Sequence, residues 1–211
     1  MKTYALVGRN ISYSFSRRYF AEKFAKEQIT DCEYINFDIP YIEELPALIA
    51  ATPTLAGMNV TIPYKEAVLP LLDLQSEALM AIKACNTIKI LPSGKLKGDN
   101  TDYIGFRDSL IPYLQPHHNR ALILGTGGAS KAVAFALSQL GIPFLLVSRE
   151  SSAIAISYDE LTKEIIENHS LIINTTPLGT FPKTEAFPPI PYQWITSQHL
   201  LYDLIYNPQK T

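Results

Sequence analysis

Two short segments hold the side chains best suited to chemistry. Asn59-Val60-Thr61-Ile62-Pro63-Tyr64-Lys65 supplies a lysine, and Gly98-Asp99-Asn100-Thr101-Asp102 supplies a carboxylate. Both sit among short polar residues that can hold a polyhydroxylated ligand. A glycine-rich turn, Gly125-Thr126-Gly127-Gly128-Ala129-Ser130, follows soon after. A lysine and an aspartate ahead of such a turn point to hydride transfer at an alcohol or ketone. One protein group moves the hydroxyl proton while a dinucleotide moves the hydride. Which of Lys65 and Asp102 transfers the proton stays open, because neighbouring titrations are coupled. Taken singly, Lys65 also fits a solvated first-turn lysine and Asp102 a helix N-cap; their joint occurrence is what points to a site.

The glycine turn lies between the strand-forming run Arg120 to Leu124 and a helix-forming segment, which is the context a dinucleotide turn requires. Gly125 permits the tight turn and Gly127 lets the backbone approach a pyrophosphate. Gly128, Ala129 and Ser130 offer the free N–H groups of a helix start to it. Ser130 stands at the third glycine position and is small enough. The next strand ends at Val147-Ser148-Arg149, where an NAD-selective site places an acidic residue for the ribose hydroxyl. Ser148 can donate to a phosphate oxygen and Arg149 can pair with its charge, which predicts NADP over NAD. Glu150, next in line, works against a 2′-phosphate. Arg149 also fits a solvated loop arginine.

Elements that must position these groups follow from periodicity. Strands are expected at Tyr4 to Gly8, Glu33 to Asp38 and Gly57 to Thr61, with helices at Phe15 to Ile29 and Ile42 to Ala51. Pro63 is expected to open a helix reaching Leu72, followed by a short helix over 76 to 83. Asn86 to Leu91 and Lys95 to Lys97 pair as a hairpin around Pro92-Ser93-Gly94. A helix over Asp102 to Leu114 bridges to the second half, with Asp102 in the first turn where the helix dipole favours a carboxylate. Strands at Arg120 to Leu124, Pro143 to Val147, Leu171 to Asn174 and Leu200 to Asp203 alternate with helices at Ala129 to Leu140 and Asp159 to Asn168. A proline-rich loop spans Pro177 to Pro191. The expectation is an α/β chain: an N-terminal α/β substrate domain over 1–101, and a Rossmann-like doubly wound parallel sheet over 102–211, with 102–115 as the bridging helix.

Of the 211 residues, 47% are apolar and 18% charged, and the net charge is −2. Those values suit a globular protein with a sizeable core. Basic residues are scattered, so no nucleic-acid footprint is expected. No run approaches the roughly 18 apolar residues of a membrane span. Cys32 and Cys85 lack metal-ligand spacing and read as separate thiols, so no metal and no disulfide are expected. The opening residues run straight into a strand, and a reduced, cytoplasmic enzyme is the default.

Seven segments together resemble the shikimate dehydrogenase family. They are Ser14-Phe15-Ser16 after Gly8, Asn59 to Lys65, Ala84-Cys85-Asn86-Thr87, Gly98 to Asp102, Gly125 to Ser130, Asn174 to Gly179, and Tyr202 to Pro208. They cover the chain in the family's order, and N-V-T-x-P-x-K and G-D-N-T-D are the most specific. The resemblance implies NADP-dependent reduction of 3-dehydroshikimate to shikimate, in chorismate and aromatic amino-acid biosynthesis, with substrate in a cleft between the domains. Carried over residue by residue, Ser14 and Ser16 hold the substrate carboxylate, helped by Tyr206. Thr61, Lys65, Asn86 and Asp102 contact the ring hydroxyls, and Asn59 supports the loop. Asn174, Thr175 and Thr176 lie by the cofactor's ribose and nicotinamide. Ser14 and Ser16 also fit simple helix capping, and Asn174 to Thr176 a strand-end turn.

The chain departs from the family pattern in two places. Where the family reads G-x-P-x-x-H-S-x-S-P, this chain has Asn10, Tyr13 and Arg17 in place of the proline, the histidine and the final proline. Members also run several dozen residues past the Y-x-P segment and supply a substrate-contacting glutamine there. This chain stops at Thr211, and Gln209 is not expected to take that place. Two alternatives accompany the main reading: a quinate/shikimate dehydrogenase with relaxed NAD or NADP use, and a non-catalytic ligand-binding protein on the same fold. As partners the reading implies shikimate or 3-dehydroshikimate, no nucleic acid and no membrane, with the chain a monomer or homodimer.

Overall fold

An apolar run buried from Ala5 to Gly8 defines the first strand, β1 (Lys2–Gly8), in the computed structural model, which describes residues 1–12 and 14–208. Tyr13 and Gln209, both singled out from the sequence, lie outside the described residues. Ala5 and Val7 point into one core, while Tyr4 and Leu6 face the other side of the sheet. β1 is flanked in parallel by β2 (Cys32–Asp38) and β3 (Leu55–Val60). A short strand β4 (Leu74–Gln75) and a hairpin, β5 (Thr87–Ile90) with β6 (Leu96–Asp99), complete a six-stranded sheet in the order β2-β1-β3-β5-β6-β4. The hairpin turns at Gly94, whose φ of 81° suits a residue without Cβ. This sheet belongs to the unit Met1–Thr101; the remainder, Asp102–Thr211, forms a second unit.

Helix α1 (Phe15–Lys26) lies on the Tyr4/Leu6 side. It is fastened by Phe20, whose ring stacks on Tyr34 of β2 at 4.5 Å between centroids. The opposite side of the sheet is packed with Phe37, Met58, Val60, Leu79 and Ile88, and with Leu45 at the start of α2 (Leu45–Ala51). Helix α3 (Glu77–Ile82) begins at Ser76, whose hydroxyl accepts from Leu79 N–H at 3.1 Å, and ends at Lys83 in the left-handed region.

Several expected helices depart from the spans their periodicity suggests, and three do so for a clear local reason. The helix expected from Pro63 to Leu72 is absent: residues 62–68 form turns and only Leu69–Leu71 make a 3₁₀ turn. Pro63 and Pro70 bracket the segment, and Pro70 has no N–H to donate back into a longer α-helix. Lys65 therefore sits on a turn rather than a helix. The Asp159–Asn168 helix splits into a 3₁₀ turn at Tyr158–Glu160 and α6 (Lys163–Asn168), because Thr162 caps the second piece by accepting from Ile165 N–H. The residues before that turn form an unexpected strand, Ala155–Ser157. The helix at Asp102 holds to Leu110 and tightens to 3₁₀ at Ile111–Tyr113, where Pro112 lacks its donor.

The second unit is built on five parallel strands: β7 (Ala121–Leu124), β8 (Phe144–Ser148), β9 (Ala155–Ser157), β10 (Leu171–Asn174) and β11 (Leu200–Asp203). Their order is β11-β10-β7-β8-β9. Every residue of β7 and β10 is buried, as a strand covered on both faces requires. Ala121 and Ile123 pack with α4 (Asp102–Leu110) and α5 (Gly128–Gln139) through Phe106, Leu110, Val133 and Leu137. Leu122 and Leu124 pack on the other face with Val147 and with Ile166 of α6. The sheet is thus doubly wound. The chain leaves β7 toward β8 and β9, then returns to β10 and β11 on the other side. That places a topological switch between β7 and β10, where α/β sheets bind ligands beyond the strand C-termini.

Candidate active site

Gly8, at the end of β1, lets two loops meet. A Cβ there would lie 2.5 Å from Ile11 Cγ2 and 2.7 Å from Thr61 Cγ2, closer than atoms can approach. One is the segment from Arg9 to Ser12 that precedes Ser14 and Ser16, and the other is residues 61–65, carrying Thr61 and Lys65. Arg9 N–H donates to Ile62 O across them at 3.4 Å, and Thr61 N–H donates to Val7 O at 2.9 Å. The Lys65 carbonyl accepts from Cys85 N–H at 2.6 Å, which ties the lysine's backbone to the Ala84–Asn86 segment.

Asn86 is buried and joins three segments. Its Nδ2 donates to Thr101 Oγ1 at 3.0 Å and its Oδ1 accepts from Thr101 N–H at 2.8 Å. Its own N–H donates to Asp99 O at 3.1 Å, and its carbonyl accepts from Val60 N–H at 2.8 Å. Asn100, fully buried, donates to Ala84 O at 2.6 Å. These bonds fix the backbone one residue before Asp102, which opens α4. Cys85 beside them is a buried thiol whose pKa burial pushes up, so it stays protonated.

Ser14 is the N-cap of α1: its Oγ accepts from Ser16 N–H at 3.2 Å, while its own N–H donates to Ile11 O at 2.9 Å. Accepting leaves the hydroxyl proton available as a donor. Both serines are half-buried.

In the second unit the switch point is bordered by two turns fastened to each other. Gly125, after β7, has φ 110°, and a Cβ there would come within 2.8 Å of Thr175 Oγ1. Thr175, after β10, donates its N–H and its Oγ1 to Leu124 O at 3.0 and 2.6 Å. Gly127 is different. It is the exposed N-cap of α5, makes no side-chain cap bond, and a Cβ there would meet nothing within 4 Å. The space beside Gly127 is open; Lys131 N–H donates to Gly127 O at 3.3 Å, and the N–H groups of Gly128, Ala129 and Ser130 precede any acceptor that the helix itself supplies. Ser130 is buried with its Oγ turned back onto Gly127 O at 2.6 Å, so it closes the turn. This donor set fits a dinucleotide's phosphates.

Arg149 is exposed beyond β8, and the Ser148 hydroxyl donates to the Glu150 carbonyl. Asn174 shapes its turn: Oδ1 accepts from Thr176 N–H and Oγ1 at 3.0 and 2.7 Å, and Nδ2 donates to Leu178 O and Asp203 Oδ1. Tyr206 is largely exposed, at 76%. The sequence-derived residues thus fall into two groups. Ser14, Ser16, Thr61, Lys65 and Asn86 lie in the first unit; Asp102, the glycine turn, Ser148, Arg149, Asn174 to Thr176 and Tyr206 lie in the second.

Residues 6–88 match the shikimate dehydrogenase substrate binding domain. A shikimate dehydrogenase (NADP(+)) of Clostridium beijerinckii is 38% identical across 100% of this chain and 80% of its own length. One from Methanosphaera stadtmanae is 35% identical across 98% of this chain and 78% of its own. The chain belongs to the shikimate dehydrogenase family. A solved relative, shikimate 5-dehydrogenase from Thermus thermophilus in complex with NADP(H) and shikimate, superposes with a TM-score of 0.84 at 29% identity, over 99% of this chain and 80% of that one.

The sequence reading overlooked one set of polar residues. Tyr34, Asn36 and Asp38 alternate along β2, on the side of the sheet that faces α1, and all three bond to other segments of the first unit. The signal was present as period-two polarity in a strand whose intervening residues, Ile35 and Phe37, are apolar. Among the described residues no group of histidine, cysteine, aspartate and glutamate could hold a metal ion, and no helix is long and apolar enough to cross a membrane.

Proposed function

We propose that Lys65 and Asp102 handle the hydroxyl proton in the reversible reduction of 3-dehydroshikimate to shikimate. The chain is an NADP-dependent oxidoreductase of aromatic amino-acid biosynthesis. What carries this reading is near-complete alignment with NADP(+)-dependent shikimate dehydrogenases, joined to an open phosphate cradle at Gly127. NADP, when bound, supplies or accepts the hydride. The residues of this chain do the rest. Lys65, as an ammonium, donates a proton to the carbonyl oxygen of 3-dehydroshikimate as that carbon becomes the carbinol of shikimate; in the reverse direction it takes the proton back. Asp102 holds and polarises the same oxygen. Thr61 and Asn86 orient the ring hydroxyls, with Asn86 also fixing Thr101.

Ser14 and Ser16 hold the substrate carboxylate from the start of α1, helped by Tyr206. Gly125, Gly127, Gly128, Ala129 and Ser130 bind the pyrophosphate. Ser148 and Arg149 face the 2′-phosphate, Arg149 by charge and Ser148 by shaping the loop through Glu150 O. Asn174, Thr175 and Thr176 form the opposite lip of the switch point. We place the enzyme in the cytoplasm as a monomer or homodimer.

The test is to compare shikimate oxidation by the parent, Lys65→Ala and Asp102→Asn chains. Each variant should lose about 10²–10⁴-fold in rate, as removal of a positioned proton carrier does. Unchanged rates in both would overturn the assignment.

A further inference from the structure

We propose that β2 is the positioning strand of the carboxylate-binding loop: Tyr34, Asn36 and Asp38 together hold the backbone at Asn10 and Ile11 and the side chain of Ser16. The inference rests on the reading that Ser14 and Ser16 hold the substrate carboxylate. None of the three residues is expected to touch the substrate; they act through the loop.

The contacts run in order along the strand. Asp38 accepts two consecutive backbone donors, Asn10 N–H on Oδ1 at 2.7 Å and Ile11 N–H on Oδ2 at 3.1 Å. Asn36 donates from Nδ2 to Ile11 O at 3.2 Å, the carbonyl that also accepts Ser14 N–H. Its Oδ1 is buried with no hydrogen-bond partner among the described residues, a cost that the Nδ2 bond to Ile11 O offsets only in part. Tyr34 donates from its hydroxyl to Asn59 Oδ1 at 2.9 Å, and the Ser16 side chain stands against the same phenol oxygen. Asn59 in turn reaches Asn86 O and Thr87 Oγ1 at 3.4 Å each. One buried phenol therefore joins the carboxylate loop to the segment that orients the ring hydroxyls. Burial pushes that phenol up to about 12, with Ser16 acting the other way, so it remains a donor at neutral pH.

The clamp depends on what this chain has at position 10. Asn10 takes φ 56° and donates its N–H to Asp38. A proline, fixed near φ −65° and without an N–H, can do neither. Asparagine tolerates the left-handed region better than other residues with a Cβ. A proline at this position would leave Asp38 only the Ile11 N–H, so the second of its two bonds depends on a donor at position 10.

The experiment measures affinity of the 211-residue chain for shikimate and for shikimate methyl ester by calorimetry, in the parent, Tyr34→Phe, Asp38→Ala and Ser16→Ala. Tyr34→Phe keeps the ring stacked on Phe20 and removes only the hydroxyl, so it is the variant least exposed to misfolding. NADP⁺ affinity is measured alongside. The parent should prefer the acid over the ester. Tyr34→Phe and Asp38→Ala should each weaken shikimate binding about tenfold, the worth of one hydrogen bond. They should also narrow the acid-to-ester preference and leave NADP⁺ affinity unchanged. A purely structural role would weaken acid and ester alike. If Ser16→Ala narrows the preference and both β2 variants keep it, the inference fails and the carboxylate reading stands. If Ser16→Ala keeps the preference, the carboxylate reading fails and the inference falls with it.

Discussion

Adding one methyl group at each of two glycines should separate folding from cofactor binding. At Gly125 the backbone has φ 110° and the new Cβ would lie 2.8 Å from Thr175 Oγ1, which is itself bonded to Leu124 O. A side chain held in so sparse a region costs about 1–3 kcal/mol. For a chain of this size each kcal/mol lowers the melting temperature by roughly 2–4 °C. At Gly127 the backbone has φ −81° and ψ −171°, ordinary for alanine, and the Cβ would enter open space. Gly127→Ala should therefore cost the fold less than about 1 kcal/mol, the difference between the two residues at an N-cap. The open space is where the cofactor's phosphates come to rest in our account, so the same methyl should weaken NADP⁺ binding at least about tenfold, or ~1.4 kcal/mol. Thermal unfolding with and without NADP⁺ reads both effects. At about 100 times the parent Kd the ligand adds about 2.7 kcal/mol, and a tenfold loss of affinity halves this to about 1.4 kcal/mol. If Gly127→Ala melts like the parent and keeps the full NADP⁺ shift, the phosphates do not lie there and the cofactor assignment is refuted.

Other outcomes follow from the same geometry. Arg149→Ala should weaken NADP⁺ by about tenfold or more, the value of a charge-assisted bond, and leave NAD⁺ affinity unchanged; equal losses for both would detach Arg149 from the 2′-phosphate. Leu122→Ala empties a fully buried site between β7 and α6 and should cost about 2–5 kcal/mol in denaturant unfolding; a smaller loss would mean that the sheet face repacks. The Tyr34 hydroxyl rises from an ordinary 10.0 to about 12 on folding, mainly through burial, so the folded state holds that proton more tightly. Its contribution, about 2–3 kcal/mol, is fully present below the unfolded value and disappears as pH rises through the folded one. The stability difference between parent and Tyr34→Phe should shift in the variant's favour across that alkaline window, and a constant difference would contradict it.

Much of the fold could be read in the sequence where one physical signal dominated. Ala121-Leu122-Ile123-Leu124 followed by glycines admits few readings besides a buried strand and a helix start. Legibility failed where two local signals competed. Between Pro63 and Pro70 the apolar spacing suggested a helix, but the two prolines leave room only for turns. At Asp159 to Asn168 the cap at Thr162 divides what reads as one helical stretch. The site followed the same pattern. Lys65 and Asp102 stand in segments dense with short polar residues, whereas Tyr34, Asn36 and Asp38 lie on a strand far along the chain from the loop they hold. Their role depends on β2 folding beside β1, a pairing that local sequence does not specify.

The central claim is hydride exchange between shikimate and NADP⁺ with Lys65 carrying the proton. The most direct measurement uses shikimate deuterated at the carbon to be oxidised, incubated with NADP⁺ and the parent or Lys65→Ala chain, with deuterium in the reduced cofactor followed by mass spectrometry. The account predicts deuterated NADPH from the parent and a rate lower by about 10²–10⁴-fold from the variant. Reduced cofactor without deuterium, or equal rates from the two chains, would contradict it.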